Sequence, residues 1–266
     1  MFGAYEFVFN DIISSRYNLV LLYSDADTGI TTSTGTPEKK YVTISNHRSG
    51  RKEIIGVTVD EPLSFDIEIL VDNFDENHEI IPLKRNLVGQ IRSWLFNKPD
   101  YGVLKILQDG LQGYYFKVVF NNVEDINKDG DIIGFKAKVV CDNTGCYKKQ
   151  MIEFECDGET TVNLYNETTS MFVTQPKWTI ESYEGEHTFK LAIDDYSMEV
   201  EFVDNDTVTI NCQDLSVESK DDLVNYYATK RFNMKFLELK AGMNKLKASG
   251  HGKVKVEWES VVDVGG

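Results

Sequence analysis

The chain has 266 residues, 41% of them hydrophobic, and a formal net charge of −15, divided as about −4 over residues 1–150 and about −11 over residues 151–266. This length makes one or two domains whose core needs no covalent staples, and no apolar run is long enough to cross a bilayer as a helix. So acidic a chain does not grip nucleic acid by neutralising phosphates, although an acidic wall would surround DNA without holding it, because it repels the backbone.

Read from the N-terminus, Met1–Asn10 alternates and carries Glu6, with no basic start and no long apolar centre. It does not read as a signal peptide, which predicts synthesis and first folding in the cytoplasm. Period-2 alternation then predicts strands at Tyr5–Phe9, Lys40–Ile44, Leu63–Leu70, Tyr114–Phe120, Ile132–Val140, Met151–Phe154, Trp178–Ile180, Phe189–Ile193, Met198–Val203 and Val208–Ile210. Tyr, Phe, Val, Ile and Thr fill these runs, as a half-buried pleated surface prefers. Many short strands with frequent turn signals point to barrels or sandwiches.

One segment departs from this period. In Pro82–Asn97 the residues Leu83, Leu87, Val88, Ile91, Trp94 and Leu95 recur at helical spacing. This predicts an amphipathic helix with Pro82 in its first turn, its Trp94 face on a β core, and Lys98–Pro99 as the stop. Lys84, Arg85 and Arg92 would solvate the opposite face.

Residues 25–40 read as a loop. His47-Arg-Ser-Gly-Arg-Lys52 is the most basic stretch of the chain and reads as the tip of an exposed hairpin. Arg48, Arg51 and Lys52 there are either a solvated tip or a contact to an acidic neighbouring subunit or partner. A seam between domains falls at Val140–Lys149, dividing a domain of residues 1–145 from one of 146–266. Near the end, Phe236–Leu246 predicts strand, a tight turn at Ala241–Gly242 and strand. A second turn at Ser249–Gly252 leads to a strand in which Val254, Val256 and Trp258 alternate.

Most candidate chemistry dissolves on inspection. Asp125-Ile-Asn-Lys-Asp-Gly-Asp131 matches the first half of a calcium loop, but the twelfth position is Lys136 and the flanks are strands. Lys128–Asp131 therefore reads as a hairpin turn, with Asp-Gly supplying positive φ. Cys141, Cys146, Cys156 and Cys212 form no zinc-ligand pattern with a nearby histidine. They read as free thiols, with a Cys141–Cys146 bridge as the minor alternative. The four histidines are scattered, and no nucleophile or phosphate-binding motif occurs. The acid pairs Asp194–Asp195 and Asp221–Asp222 are adjacent, so on a strand they face opposite ways and form no two-carboxylate site. Asn166-Glu-Thr168 and Asn205-Asp-Thr207 fit the glycosylation pattern, but read as polar loops without a secretory signal. No cofactor, metal or catalytic residue is expected.

Four places in order give the chain a resemblance to a family. Glu61-Pro-Leu-Ser-Phe-Asp-Ile-Glu-Ile69 precedes a helix ending Ile91-Arg-Ser-Trp94-Leu95. The seam runs from Lys138-Val-Val-Cys141-Asp142 to Tyr147, without the prolines common after that Asp. Leu164-Tyr-Asn166 precedes Pro176-Lys-Trp-Thr-Ile180. The closing stretch is similar to F-P-x-L-x-x-G-x-N-x-L, with Leu237 replacing the usual Pro and with Gly242 and Asn244 in place. Together these resemble the distal tail proteins of long-tailed bacteriophages, over nearly the whole chain.

The resemblance implies a mainly β fold: an N-terminal β-barrel-like domain with one amphipathic helix, and a C-terminal galectin-like β-sandwich. It implies a homohexameric ring at the tail tip of the virion, assembled in the cytoplasm of the host bacterium and not inserted in a membrane. The ring would join the tail tube protein to the tail-tip hub protein and support receptor-binding proteins, while DNA passes through the channel without specific binding. Trp94, Cys141, Asp142, Gly242 and Asn244 are its structural landmarks. The competing reading is a carbohydrate-binding β-sandwich for host cell-wall recognition, with Trp178 and Trp258 as stacking platforms, although alternating strands favour a core role for both.

Overall fold

The computed structural model describes residues 4–22, 39–45, 52–59, 62–183, 187–202, 206–220, 225–226 and 229–263, with only a few side chains in 39–59. It separates into two compact units, Met1–Tyr147 with Asp263–Gly266, and Lys148–Val262.

The first unit is built from β1 (Ala4–Tyr5), β2 (Phe7–Phe9), β3 (Ile12–Ile13), a 3-10 turn at Ser14–Tyr17, β4 (Leu19–Leu22), β5 (Lys39–Ser45), β6 (Lys52–Val59), β7 (Ser64–Val71), α1 (Arg85–Leu95), β8 (Gly102–Ile106), β9 (Tyr114–Lys128) and β10 (Asp131–Cys141). Its strands pair antiparallel in the order β1-β4-β7-β10-β9-β8-β2-β3. The chain passes from β1 to β2, on opposite sides of this sheet, through the single residue Glu6. Laid flat, six strand spacings would hold them about 29 Å apart, far beyond one residue's reach. The sheet therefore curls on itself, which is the barrel-like form expected. Its inward residues include Phe7, Phe9, Leu19, Leu21, Ile67, Ile69, Val118, Phe135 and Val139, all buried. The pair β5–β6 forms a separate two-stranded ribbon.

The helix is shorter than the periodicity predicts. It starts at Arg85 with Lys84 as N-cap, so Pro82 lies before the helix. The Leu83 N–H is spent on the Ile132 carbonyl of β10, at 2.9 Å, which holds the entry extended. Val88, Ile91, Trp94 and Leu95 form the buried face, whereas Leu83 and Leu87 are half-buried.

The second unit contains β11 (Cys146–Asn166), which begins at the end of the first, β12 (Lys177–Ser182), β13 (His187–Ile193), β14 (Tyr196–Phe202), β15 (Thr207–Asn211), β16 (Ser216–Ser219) and β17 (Gly242–Val262). The strands run β11-β17-β12-β15-β16, and β13 joins both β17 and β14. The two longest strands double back. Lys148 pairs with Glu167 at 2.6 Å and the Gln150 amide reaches the Tyr165 carbonyl at 3.3 Å, whereas a straight strand would put these ends about 60 Å apart. Gly158, at φ 85°, sits midway.

In β17, Leu246–Ser249 pairs with β13 and Gly252–Glu257 with β12. Leu239 and Ser260 both touch Asn166, so the chain reverses at Ser249–Gly252, where the second turn is predicted. Glycine is required there by close packing. A Cβ on Gly250 would lie 2.4 Å from the Phe189 ring, and one on Gly252 would lie 2.2 Å from the Glu181 carbonyl oxygen. The expected strand at Phe236–Lys240 reduces to one bridge, Thr174 to Leu239.

Candidate functional site

Trp94 is the keystone of the first unit. Helical spacing points it at the sheet, where it stacks on Phe7 (centroids 5.9 Å, planes 5° apart) and packs against Phe9 and Tyr17. Its indole N–H donates to the Phe9 carbonyl at 3.0 Å. The buried ring thus combines apolar contact with a satisfied polar edge. Two residues earlier and on the other side of the helix, Arg92 places a guanidinium nitrogen 2.6 Å from each oxygen of Asp125 on β9. This corrects the expectation that it only solvates the outer face.

Asp125 therefore serves an ion pair from within β9, and the sequence reading of Lys128–Asp131 as a hairpin turn is met. β9 ends at Lys128 and β10 begins at Asp131, with Asp129 at φ 54° and Gly130 at φ 90°. Positive φ at both central residues is the two-residue hairpin geometry that matches strand twist. Lys128 pairs with Glu79. Among the described residues no group of three or more His, Cys, Asp and Glu could hold a metal ion.

The seam is tightly tied. Leu63 N–H donates to the Asn143 carbonyl and Cys141 N–H to the Leu63 carbonyl, at 2.9 and 2.8 Å. The Tyr147 hydroxyl donates to Asp142 at 2.9 Å, its ring stacks on Tyr115, and the Lys117 ammonium lies 4.3 Å from its centroid. Asp142 thus fixes the exit from β10. Cys141, Cys146, Cys156 and Cys212 are buried and none is joined in a disulfide, so the Cys141–Cys146 bridge is absent. Burial pushes Cys141 and Cys212 up to about 12 and Cys146 up to about 11. They remain thiols at neutral pH, unsuited to nucleophilic or metal chemistry.

In the second unit, Gly242 adopts φ 84°, a conformation that costs a glycine little. The buried Asn244 accepts from the Lys240 N–H at 2.9 Å and donates to the carbonyls of Lys240 (2.8 Å) and Gly242 (3.1 Å). One side chain closes the turn, which explains the Gly-x-Asn wording. Asn166 is likewise a clasp. Its amide donates to Thr174 Oγ1 and the Leu239 carbonyl, and its oxygen accepts from Ser260 and the Thr168 N–H. At 1% exposure it is no glycan acceptor. Asn205 lies outside the described residues.

Trp178 and Trp258 lie in the core, 0% and 4% exposed, among Ile180, Val208, Val254 and Val256. Neither presents a face to a sugar. Asp194 opens the two-residue turn from β13 to β14 at φ 52° and pairs with Lys240 at 2.7 Å. Asp221–Asp222 lie outside the described residues. Of the basic tip, Arg48 and Arg51 also lie outside them, and Lys52 is described only as the first residue of β6, opposite Ser45.

Sequence reasoning missed a buried cluster in which Ser219 and Tyr226 both donate to Asp206, at 2.9 and 2.7 Å. Burial, reinforced by the Asp206 carboxylate, raises the Tyr226 hydroxyl well above its ordinary range. The three residues come from separate segments with no motif among them. The reversal in β11 was also missed, although Asp157-Gly158 carries a legible turn signal.

Two family models match the chain in succession: a phage tail protein N-terminal domain over residues 2–143 and a phage tail C-terminal domain over residues 145–258. The chain belongs to this family of phage tail proteins. No curated protein sequence matches it. Among solved structures, it has the fold of the SPP1 Dit protein, described as a paradigm of the hub adsorption apparatus in phages infecting Gram-positive hosts. That match has a TM-score of 0.65 at 9% identity and covers 97% of this chain and 100% of that one. A chain of the phage p2 baseplate in its activated conformation with Sr matches at TM-score 0.52 and 8% identity, covering 99% and 100%. The baseplate with Ca matches at 0.50 and 10%, covering 98% and 99%.

Proposed function

We propose that the chain is a distal tail protein with a non-enzymatic, mechanical role. Six copies close a ring at the end of the phage tail and join the tail tube to the tail-tip hub. The observation that carries this reading is the match to SPP1 Dit over 97% of this chain and 100% of that one, supported by two tail-domain models in succession.

In this reading residues 1–145 form the ring. Its curled sheet is well suited to the task, because ring closure pairs or covers strand edges that would otherwise be open. Residues 146–266 form a galectin-like sandwich outside it, available to receptor-binding proteins. The ring-forming half is itself slightly acidic, about −4 over residues 1–150, which favours a channel that passes DNA without retaining it. Assembly takes place in the host cytoplasm.

The basic tip, Arg48, Arg51 and Lys52, is the proposed contact to an acidic neighbour. Charge reversal of all three to Glu should abolish ring assembly and tail attachment while leaving the fold intact. Unchanged assembly removes the tip from the interface. Immunogold labelling of virions tests the location: label at the tail tip supports the proposal, and label on the capsid or along the tube contradicts it. Burial of Trp178 and Trp258 leaves the carbohydrate-binding alternative without the platforms that motivated it.

A further inference from the structure

The outer edge of β14 is covered by a short piece of chain. β14 pairs along its length with β13 on one side. On the other, among the described residues, it meets Arg231–Asn233 through a single bridge, Val200 to Phe232. Glu201 N–H donates to the Arg231 carbonyl at 2.7 Å and Asn233 N–H to the Glu199 carbonyl at 3.2 Å. The Asn233 amide adds a bond to the Ser197 carbonyl at 3.0 Å. Three backbone groups of an edge strand are thereby occupied by a segment too short to form a strand of its own.

So few bonds hold an extended segment only if it is fastened elsewhere. One fastening is apolar: Phe232 is buried and meets Phe236 edge-on at 5.2 Å. The other is polar and runs through Tyr226. Arg231 N–H donates to the Tyr226 carbonyl at 3.2 Å. The Tyr226 ring, 1% exposed, packs edge-on against Phe202 at the end of β14. Its hydroxyl donates to the buried Asp206 carboxylate, which also accepts from Ser219 and from the Thr207 N–H. A path of bonded groups thus leads from Asp206 through Tyr226 and Arg231 to Glu201.

We propose that Arg231–Asn233 is a releasable strap over the β14 edge, hooked in place by Tyr226 on Asp206. Hydrogen bonds to a charged acceptor are the stronger kind, and a hook of this kind sets how often the strap lifts by local opening. When it lifts, Glu201 N–H and the carbonyls of Ser197 and Glu199 exchange their partners in the strap for water. The hook thus controls access to an edge that the resting fold hides.

Hydrogen exchange on the full chain, resolved by residue, tests the proposal. Tyr226→Phe keeps the ring against Phe202 and removes only the hydroxyl. The Glu201 and Asn233 amides should then exchange on the order of tenfold faster, while Thr179 and Val256 in the β12–β17 pair keep their wild-type rates. Ser219→Ala removes a different donor from the same carboxylate, does not touch the strap, and should leave Glu201 within about twofold of wild type. Unchanged Glu201 exchange in Tyr226→Phe overturns the proposal. So does acceleration that is equal throughout the unit, or one that Ser219→Ala reproduces.

Discussion

Asn244 and Trp94 are small cases of one rule: a buried polar atom is tolerated when the fold supplies its partner. Asn244→Ala leaves the Lys240 N–H without its side-chain acceptor and should cost about 1–3 kcal/mol, read as a lower denaturation midpoint of the second unit. Trp94→Ala removes three aromatic contacts and one hydrogen bond, and should cost about 3–5 kcal/mol in the first unit. Trp94→Phe should recover most of that loss. The thiols give a pH signature. Cys141, Cys146 and Cys212 have folded pKa values raised from 9.0 to about 12, 11 and 12. Their contribution is intact below pH 9 and is lost as pH rises toward 11–12, because the unfolded chain ionises first. Thermal melts across that range should show falling stability, and at pH 8 a thiol reagent should label the native protein far more slowly than the unfolded chain. Trp94 was legible in the sequence because a large apolar residue at helical spacing has few other uses. The partner of Arg92 was not, since Asp125 is brought to it only by the β9–β10 hairpin.

At the scale of elements, turn chemistry carried most of the readable information. The Asp129–Gly130 hairpin, the Gly242 turn and the reversal at Ser249–Gly252 were all marked by glycine. The last shows that the same residue answers different demands: Gly252 is needed because the Glu181 backbone lies where a Cβ would stand. Gly252→Ala should therefore lower the melting temperature of the second unit, by an amount reflecting about 1–3 kcal/mol. Gly158→Ala meets no atom within 4 Å and should cost only its left-handed backbone conformation, about 1 kcal/mol. Comparison of the two melts separates crowding from backbone strain. The helix boundary was misplaced because Leu83 looks helical by period, yet its N–H is claimed by the sheet. Sequence period registers side chains and is blind to such backbone demands. The strap over β14 escaped for the same reason, as its bonds run through backbone groups that any residue carries.

For the whole molecule, the order of landmarks was more informative than any one of them. The Trp-ended helix, the Cys-Asp seam, the Asn166 clasp and the Gly-x-Asn turn each hold local structure. Their succession runs through two β units, each closed by its own polar fastenings, in the order of the two phage tail domains that the chain matches. Assembly itself is less legible, because it depends on surfaces that become complementary only between copies. As a distal tail protein, this chain is proposed to close into a ring. Negative-stain imaging of the purified full-length protein, alone and mixed with its tail tube protein, tests it most directly. Six-fold rings with a central opening wide enough for DNA are the expected result. Particles that remain monomeric even with the tube protein, or close with another symmetry, would contradict it.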